Sequence, residues 1–276
     1  MNTVLLGMLA ETAIHPGAGR SGGVIDLPVA REAATNYPYI PGSSLKGALR
    51  DKAERGMKNG NPDKWFGKAD AAGDLLVSDA RLLLLPVRSL TGSYRWLTCP
   101  HIIERLQRDM RRAGIASEAG IPKPDKGTVH TAGTGKIYLE ERQFTINQDL
   151  EEGLVADLSK LIEHESTRSR LKATIAIVHD DDFAWFAGYA LPVQARNVLD
   201  DNTKQSKNLW YEETLPPDTL MYALVASRSD SASTAVRSLF DDSYLQTGGN
   251  ETTGEGWFII AVRESTPEAS VVRHAE

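Results

Sequence analysis

The run LLVSDARLLLLPVRS, from Leu75 to Ser89, is the most apolar stretch of the chain and leaves it the fewest ways to fold. It falls short of the roughly 20 apolar residues that span a bilayer, so it reads as a buried strand that Pro86 ends or bends. Such a strand needs cover, and its neighbours in sequence read as helices. GSSLKGALRDKAERGM predicts one with Ser43 or Ser44 at the N-cap and Leu45, Ala48, Leu49 and Ala53 on one face. A second opens with Thr98 as N-cap and Pro100 at the first helical position, and carries Ile102, Ile103, Leu106 and Met110 beside Arg105, Arg108, Arg111 and Arg112.

The remaining segments continue the alternation. VLLGMLAETAI opens the chain as a strand, and VIDLP is a short strand or its end. KIYLEE, QFTIN, parts of LKATIAIV and FAWFAGYAL, TLMYALVAS and WFIIAV read as further strands, with helices near Leu154–Glu163 and Thr234–Phe240. The simplest summary is an α+β fold of two α+β halves in one domain over residues 1–276. Residues 114–135, rich in Gly, Pro, Lys and Thr, read as a long mobile loop, and the last dozen residues as frayed. Between Pro192 and Leu220, two β-prone arms flank the turn-rich DDNTKQSKN and predict a projecting hairpin at about 193–219.

Charge is unevenly placed. The net charge is −6, yet residues 1–112 hold sixteen Lys/Arg against eleven Asp/Glu, and residues 113–276 fifteen against twenty-six. A polyanion partner needs a local basic face, which the first part can supply, although uneven charge also simply solvates a surface. The single cysteine, Cys99, excludes an internal disulfide framework and any Cys-clustered zinc or iron–sulfur site. Val4–Ala10 is too short and lacks the basic lead-in of a secretion signal, so the expected location is the cytoplasm, without a membrane partner.

Chemistry-bearing residues gather in a few places. IPGSSLKGALR puts two hydroxyls, a lysine and the free amides of a helix start within one turn, which is an anion site or an ordinary capped helix. It is not a nucleotide P-loop, because no Ser/Thr follows the lysine. The loop His15–Gly23 and the later loop Gly248, Gly249, Asn250, Gly254, Gly256 let backbone approach a ligand closely, or serve as turns. Asp26 could take a proton or hold a divalent ion, or bond its own backbone. His15, at the other edge of that loop, could contact a phosphate or support the local structure. Asp180, Asp181 and Asp182 read as a solvated turn, and Trp185 and Phe186 as core. Trp210 and Tyr211, among charged residues of the hairpin, either pack or stack against bases.

HPGAGRSGGVIDLPVARE, YPYIPGSSLKGALRD, SDARLLLLPVRSLTGSYRWLTCP, QARNVLDDNTKQSKNLWYEETLPPDT and GGNETTGEGW together resemble the RAMP-type backbone subunits of type III CRISPR effector complexes, most closely those of the type III-B, or Cmr, complex. The Ser-Ser-Leu-Lys-Gly turn and the late glycine loop are shared across the superfamily; SDARLLLLPVRS and LWYEETLPP are more specific. The resemblance implies a ferredoxin-like, RNA-recognition-type core with an inserted β-hairpin thumb. It implies copies stacked along a guide RNA beside other subunits of the complex, and metal-dependent endoribonuclease cleavage of the target RNA, with magnesium the expected ion. It assigns cleavage and a possible metal contact to Asp26. His15, Arg20, Ser43, Ser44, Lys46, Arg50, Gly248, Gly249 and Asn250 would face RNA, and Val198, Leu199, Leu209 and Trp210 would belong to the thumb. The alternatives are a non-cutting scaffold of the same family, a type III-A backbone subunit, and a guide-processing ribonuclease using histidine.

Overall fold

In a computed structural model that describes residues 2–56, 61–117 and 119–264, β1 (Asn2–Ala10) is buried from Val4 to its end, which requires cover on both faces. The chain continues through β2 (Tyr39–Ile40), α1 (Gly42–Gly56), α2 (Pro62–Phe66), β3 (Leu75–Val77), β4 (Ala80–Arg88), β5 (Tyr94–Thr98) and α3 (Pro100–Arg112). Then come β6 (Thr128–His130), β7 (Lys136–Leu139), β8 (Arg142–Gln148), α4 (Glu152–Ser159), α5 (Glu165–Thr174), β9 (Ile175–Val178) and α6 (Asp180–Tyr189). The last part holds β10 (Val193–Leu199), β11 (Ser206–Glu213), β12 (Leu220–Ser227), α7 (Asp230–Ser238), β13 (Tyr244–Gln246) and β14 (Trp257–Arg263).

One mixed sheet runs β13-β14-β1-β12-β4-β5-β9-β6-β8-β7, with β2 added on β4 and β3 on β12; β10 and β11 form a separate antiparallel pair. Within the large sheet β14, β1, β12 and β4 lie side by side, each antiparallel to the next. α1 lies between β1 and β4 in sequence, and α7 between β12 and β14, which is the βαββαβ order of a ferredoxin-like core. Everything from β5 to β11 is inserted where that core would make its central hairpin turn. The two halves expected from sequence are therefore nested rather than consecutive: the first strand pairs with the last.

Other expectations are corrected locally. Leu75–Ser89 is two strands, because Ser78 interrupts it: its amide donates to Leu224 O and its hydroxyl accepts the Leu224 amide, both at 2.9 Å. Pro86 does not end β4; it lies beyond the part paired to β12 and opposite Trp96 of β5, where no β12 ladder bond is lost. VIDLP makes one isolated bridge, Leu27 to Glu212, instead of a strand. Thr98 closes β5, and Cys99 is the N-cap of α3, whose His101 amide is met by Asp180 Oδ1 at 2.9 Å.

FAWFAGYAL is helical, since Phe183, Phe186 and Ala187 bury one face at helical spacing and the three aspartates fill the first turn, where the dipole favours them. They are not a solvated turn: Asp182 is buried, accepts the Gly127 amide at 2.9 Å and pairs with Arg142 at 3.3 Å. Phe186 is fully buried while Trp185 packs at the edge, under the Arg142 guanidinium. Leu171–Thr174 ends α5, and only Ile175–Val178 of LKATIAIV forms a strand. Residues 114–135 are no plain loop, for Thr128–His130 pair with β8 and β9. Met57 and the last dozen residues lie outside the described residues.

Candidate functional site

The glycine-rich segment that leaves β1 turns back and runs along β11. Leu27 N donates to Tyr211 O at 3.1 Å, Glu213 N donates to Leu27 O at 3.0 Å, and Val29 N donates to Glu213 Oε2 at 3.0 Å. Residues 26–29 thus follow β11 almost as a third strand. Asp26 Oδ2 accepts the Tyr211 amide at 2.8 Å, and its other oxygen has no hydrogen-bond partner among the described residues. The carboxylate lines a cleft of about 410 Å3 with Arg20, Ser21, Leu27, Asn208, Leu209, Trp210, Glu212 and Asn250. Asn208, Trp210 and Glu212 reach it together because they alternate along one face of β11.

Behind this cleft lies a buried polar cluster. Glu212 Oε1 accepts from Asn250 Nδ2 at 2.5 Å, and Glu212 Oε2 from Arg196 Nε at 3.1 Å. Asn250 Nδ2 also donates to Glu255 Oε2 at 3.0 Å, and Arg196 Nη2 pairs with Glu255 Oε1. Burial works against the charged form of Arg196, but Glu255 and Glu212 outweigh it and hold its pKa above the ordinary arginine value. Glu213, next along the strand, grips Arg31 at 2.8 Å. Asn250 adopts φ +63°, a left-handed conformation that turns the loop toward the cluster.

His15, Ser44, Gly248 and Gly249 line a second cleft, also about 410 Å3, with Gly47, Asp51 and Arg55. His15 is buried rather than presented: its Nδ1 donates to Glu213 O at 2.8 Å, and its carbonyl accepts the Gly249 amide at 2.9 Å. It does not share the Asp26 cleft. Gly17 and Gly249 close over its ring, where added Cβ atoms would stand 2.9 Å and 3.1 Å from Nε2 and Cδ2.

A third cleft, about 700 Å3, takes Ser43, Lys46 and Arg50 together with Lys68 and Arg228. Ser43 and Ser44 sit inside the first turn of α1 rather than capping it, since Asp79 Oδ1 accepts the Gly42 amide at 2.7 Å and occupies the capping role. Lys46 has no ion pair among the described residues. Arg50 bonds Glu54 at 2.7 Å, Asp63 at 2.6 Å and Gly67 O at 2.6 Å, so each of its three nitrogens already has a partner within the protein. The expected RNA-facing residues therefore divide among three clefts linked by the consecutive pairs Ser43–Ser44 and Gly249–Asn250.

The β10/β11 arm is exposed except at its base. Val198, Leu199 and Leu209 are about half exposed, whereas Trp210 is partly buried against the Asp26 cleft. Sequence reasoning missed Arg196, Glu212, Glu213 and Glu255. The available signal was a pair of acids directly after the apolar Leu209, Trp210 and Tyr211, with an arginine in the facing arm.

For a metal, the described residues contain no group of three or more His, Cys, Asp or Glu placed to hold an ion. Asp26 offers one free oxygen and Glu212 is occupied. This donor set suits a hydrated magnesium-type ion that takes one carboxylate and completes its shell from water and substrate phosphate, and does not suit an all-protein cage.

Compared with known proteins, residues 8–259 match the RAMP superfamily. The CRISPR system Cmr endoribonuclease Cmr4 of Pyrococcus furiosus is 34% identical over an alignment of 288 positions that takes in 96% of this chain and 97% of the relative. A crystal structure of oligomeric Cmr4 from Pyrococcus furiosus matches with a TM-score of 0.77 at 30% identity, over 96% of this chain and 99% of that one. A chain in the cryo-EM structure of the type III-B Cmr-beta bound to cognate target RNA matches with a TM-score of 0.78 at 19% identity, over 95% and 97%, which is a likeness of fold.

Proposed function

The chain belongs to the RAMP superfamily, and we propose that it is the repeated backbone subunit of a type III-B effector complex, binding guide RNA and cutting complementary target RNA at regular intervals. It would do so as stacked copies beside the other subunits, in the cytoplasm. No helix among the described residues is long and apolar enough to cross a membrane.

The observation that carries the reading is the bond from the Tyr211 amide to Asp26. It makes the arm that would part the duplex also the support of the reacting carboxylate. An arm wedged into a guide–target duplex leaves a splayed nucleotide, whose 2′-hydroxyl can line up with its own 3′-phosphate. The 2′-oxygen attacks phosphorus and the bond to the 5′-oxygen of the next nucleotide breaks. A cyclic phosphate remains on one product, and the other ends in a 5′-hydroxyl. The free oxygen of Asp26 accepts the 2′-hydroxyl proton, water protonates the departing oxygen, and Arg20 in the same cleft offsets the charge that builds on the phosphate. A divalent cation, magnesium by the donor chemistry, would be held by the RNA phosphate and, through its water shell, by Asp26, and would neutralise phosphoryl oxygens. The guide backbone would lie along Ser43, Ser44, Lys46, Gly248 and Gly249, contacts that read no bases and so suit any guide.

The test is a cleavage assay on the assembled complex with a defined guide, wild type against Asp26→Ala, with and without magnesium. A regular ladder lost in the variant while guide and target binding persist is the expected result. Binding without a ladder in wild type under any divalent metal would make the chain a scaffold, and a ladder equal in chelator and in magnesium would remove the metal.

A further inference from the structure

We propose that Arg196 is a positioning residue: it latches the base of the β10/β11 arm to the glycine loop before β14, and so sets where the target is cut relative to the displaced nucleotide. This rests on the reading of the Asp26 cleft above.

The arm is a two-stranded sheet separate from the main one, and such a pair has little stability or fixed direction of its own. What orients it is its base. Arg196, on β10 and paired in register with Trp210, reaches diagonally across the arm to Glu212 and outward to Glu255, which belongs to the core. Glu212 and Glu255 are almost wholly buried, and both also accept from Asn250 Nδ2. One guanidinium therefore joins both strands of the arm to a loop of the core.

Buried ion networks contribute little net stability, and their best-supported use is to fix one arrangement among several. Here the arrangement has a consequence one residue away. Tyr211, between Trp210 and Glu212, holds Asp26 through its amide. Tilting the arm would move the wedge against the duplex and shift the carboxylate with it, and a displacement of about 1 Å is enough to slow a positioned reaction by up to about a hundredfold.

The experiment compares wild type, Arg196→Ala, Arg196→Lys and the double variant Arg196→Ala/Glu255→Gln in the assembled complex. Arg196→Ala leaves both Glu212 and Glu255 without their cation; the double variant neutralises Glu255, and Glu212 keeps its bond from Asn250 Nδ2, so it separates loss of the latch from loss of folding. Single-turnover cleavage is read on a sequencing gel, with guide and target affinities measured alongside. The expected result is that both alanine variants spread each cut over neighbouring phosphates and slow cleavage by about tenfold or more. Affinities stay within about twofold, and Arg196→Lys regains the wild-type positions. A sharp wild-type ladder at the wild-type rate in the double variant overturns the proposal. If wild type itself does not cut, the functional reading fails, and hydrogen exchange on the full-length chain decides the latch alone. Faster exchange at amides 193–199 and 206–213 in the double variant supports it, and unchanged exchange overturns it.

Discussion

Asp26 Oδ2 lies 2.8 Å from the Tyr211 amide nitrogen, so the carboxylate is anchored to the strand that returns from the arm and not only to the glycine-rich segment that carries it in sequence. Asp26→Asn keeps an oxygen to accept that amide and loses the proton acceptor. Target cleavage should fall by about 10²- to 10⁴-fold, while guide and target affinity and the thermal midpoint stay at wild-type values. Single-turnover kinetics with parallel binding measurements check this; a fall in affinity matching the fall in rate would mean that Asp26 holds RNA instead.

Lys46 and Arg50 occupy the same cleft and differ in what they have left to offer. Lys46 is unpaired among the described residues, whereas Arg50 already serves Glu54, Asp63 and Gly67. Lys46→Ala should weaken guide binding and flatten its dependence on log salt by about 0.7, the value for one phosphate contact on a single strand. Arg50→Ala should leave the slope unchanged and lower the thermal midpoint. Guide titrations between 50 and 300 mM salt distinguish the two.

The core strands and the arm were legible because their signals are local: periodicity, turn residues and runs of apolar side chains. β1, β12 and β14 each appear where the apolar runs lie. FAWFAGYAL misled because aromatic content favours strand, and only the burial of Phe183, Phe186 and Ala187 against the rest of the molecule decides for helix. The nesting of the halves was invisible, since β1 meets β14 across some 250 residues. Asp26 could be singled out from its motif, but its partner could not, because a backbone amide leaves no mark on a sequence. His15 shows the reverse: a histidine beside glycines looks presented, and Gly17 and Gly249 are instead what allow the chain to close over it.

Gly7, in the middle of β1 between Tyr222 and Ala261, faces the backbone of Leu161; a Cβ there would stand 2.1 Å from the Leu161 carbonyl oxygen. The clash is with main chain on a buried strand, so no rotamer relieves it. Gly7→Ala should destabilise the chain by about 3 kcal/mol, the upper end for overpacking, and chemical denaturation of the purified chain measures it. A cost near zero would mean that the segment after α4 moves freely off the sheet.

At the far end of the arm, Asp200 Oδ1 accepts the amides of Asn202 and Thr203 at 2.9 and 2.8 Å, and Oδ2 meets Lys207 Nζ at 3.0 Å. The Thr203 amide, then Lys207 and the Asn202 amide, hold its pKa down to about 2. The ordinary value is 3.8, so the lowered group favours the formed turn fully above that pH, and the contribution disappears as pH falls through about 2. The turn should accordingly be intact at every pH at which RNA is bound, and its Asn202 and Thr203 amides should lose protection only between about pH 4 and 2. Asp200→Asn retains an acceptor oxygen for both amides and should keep the turn while abolishing that titration, whereas Asp200→Ala should expose both amides at neutral pH. Amide exchange followed by NMR through this range separates the three, and a turn that frays in Asp200→Asn as much as in Asp200→Ala would assign its stability to the Lys207 ion pair.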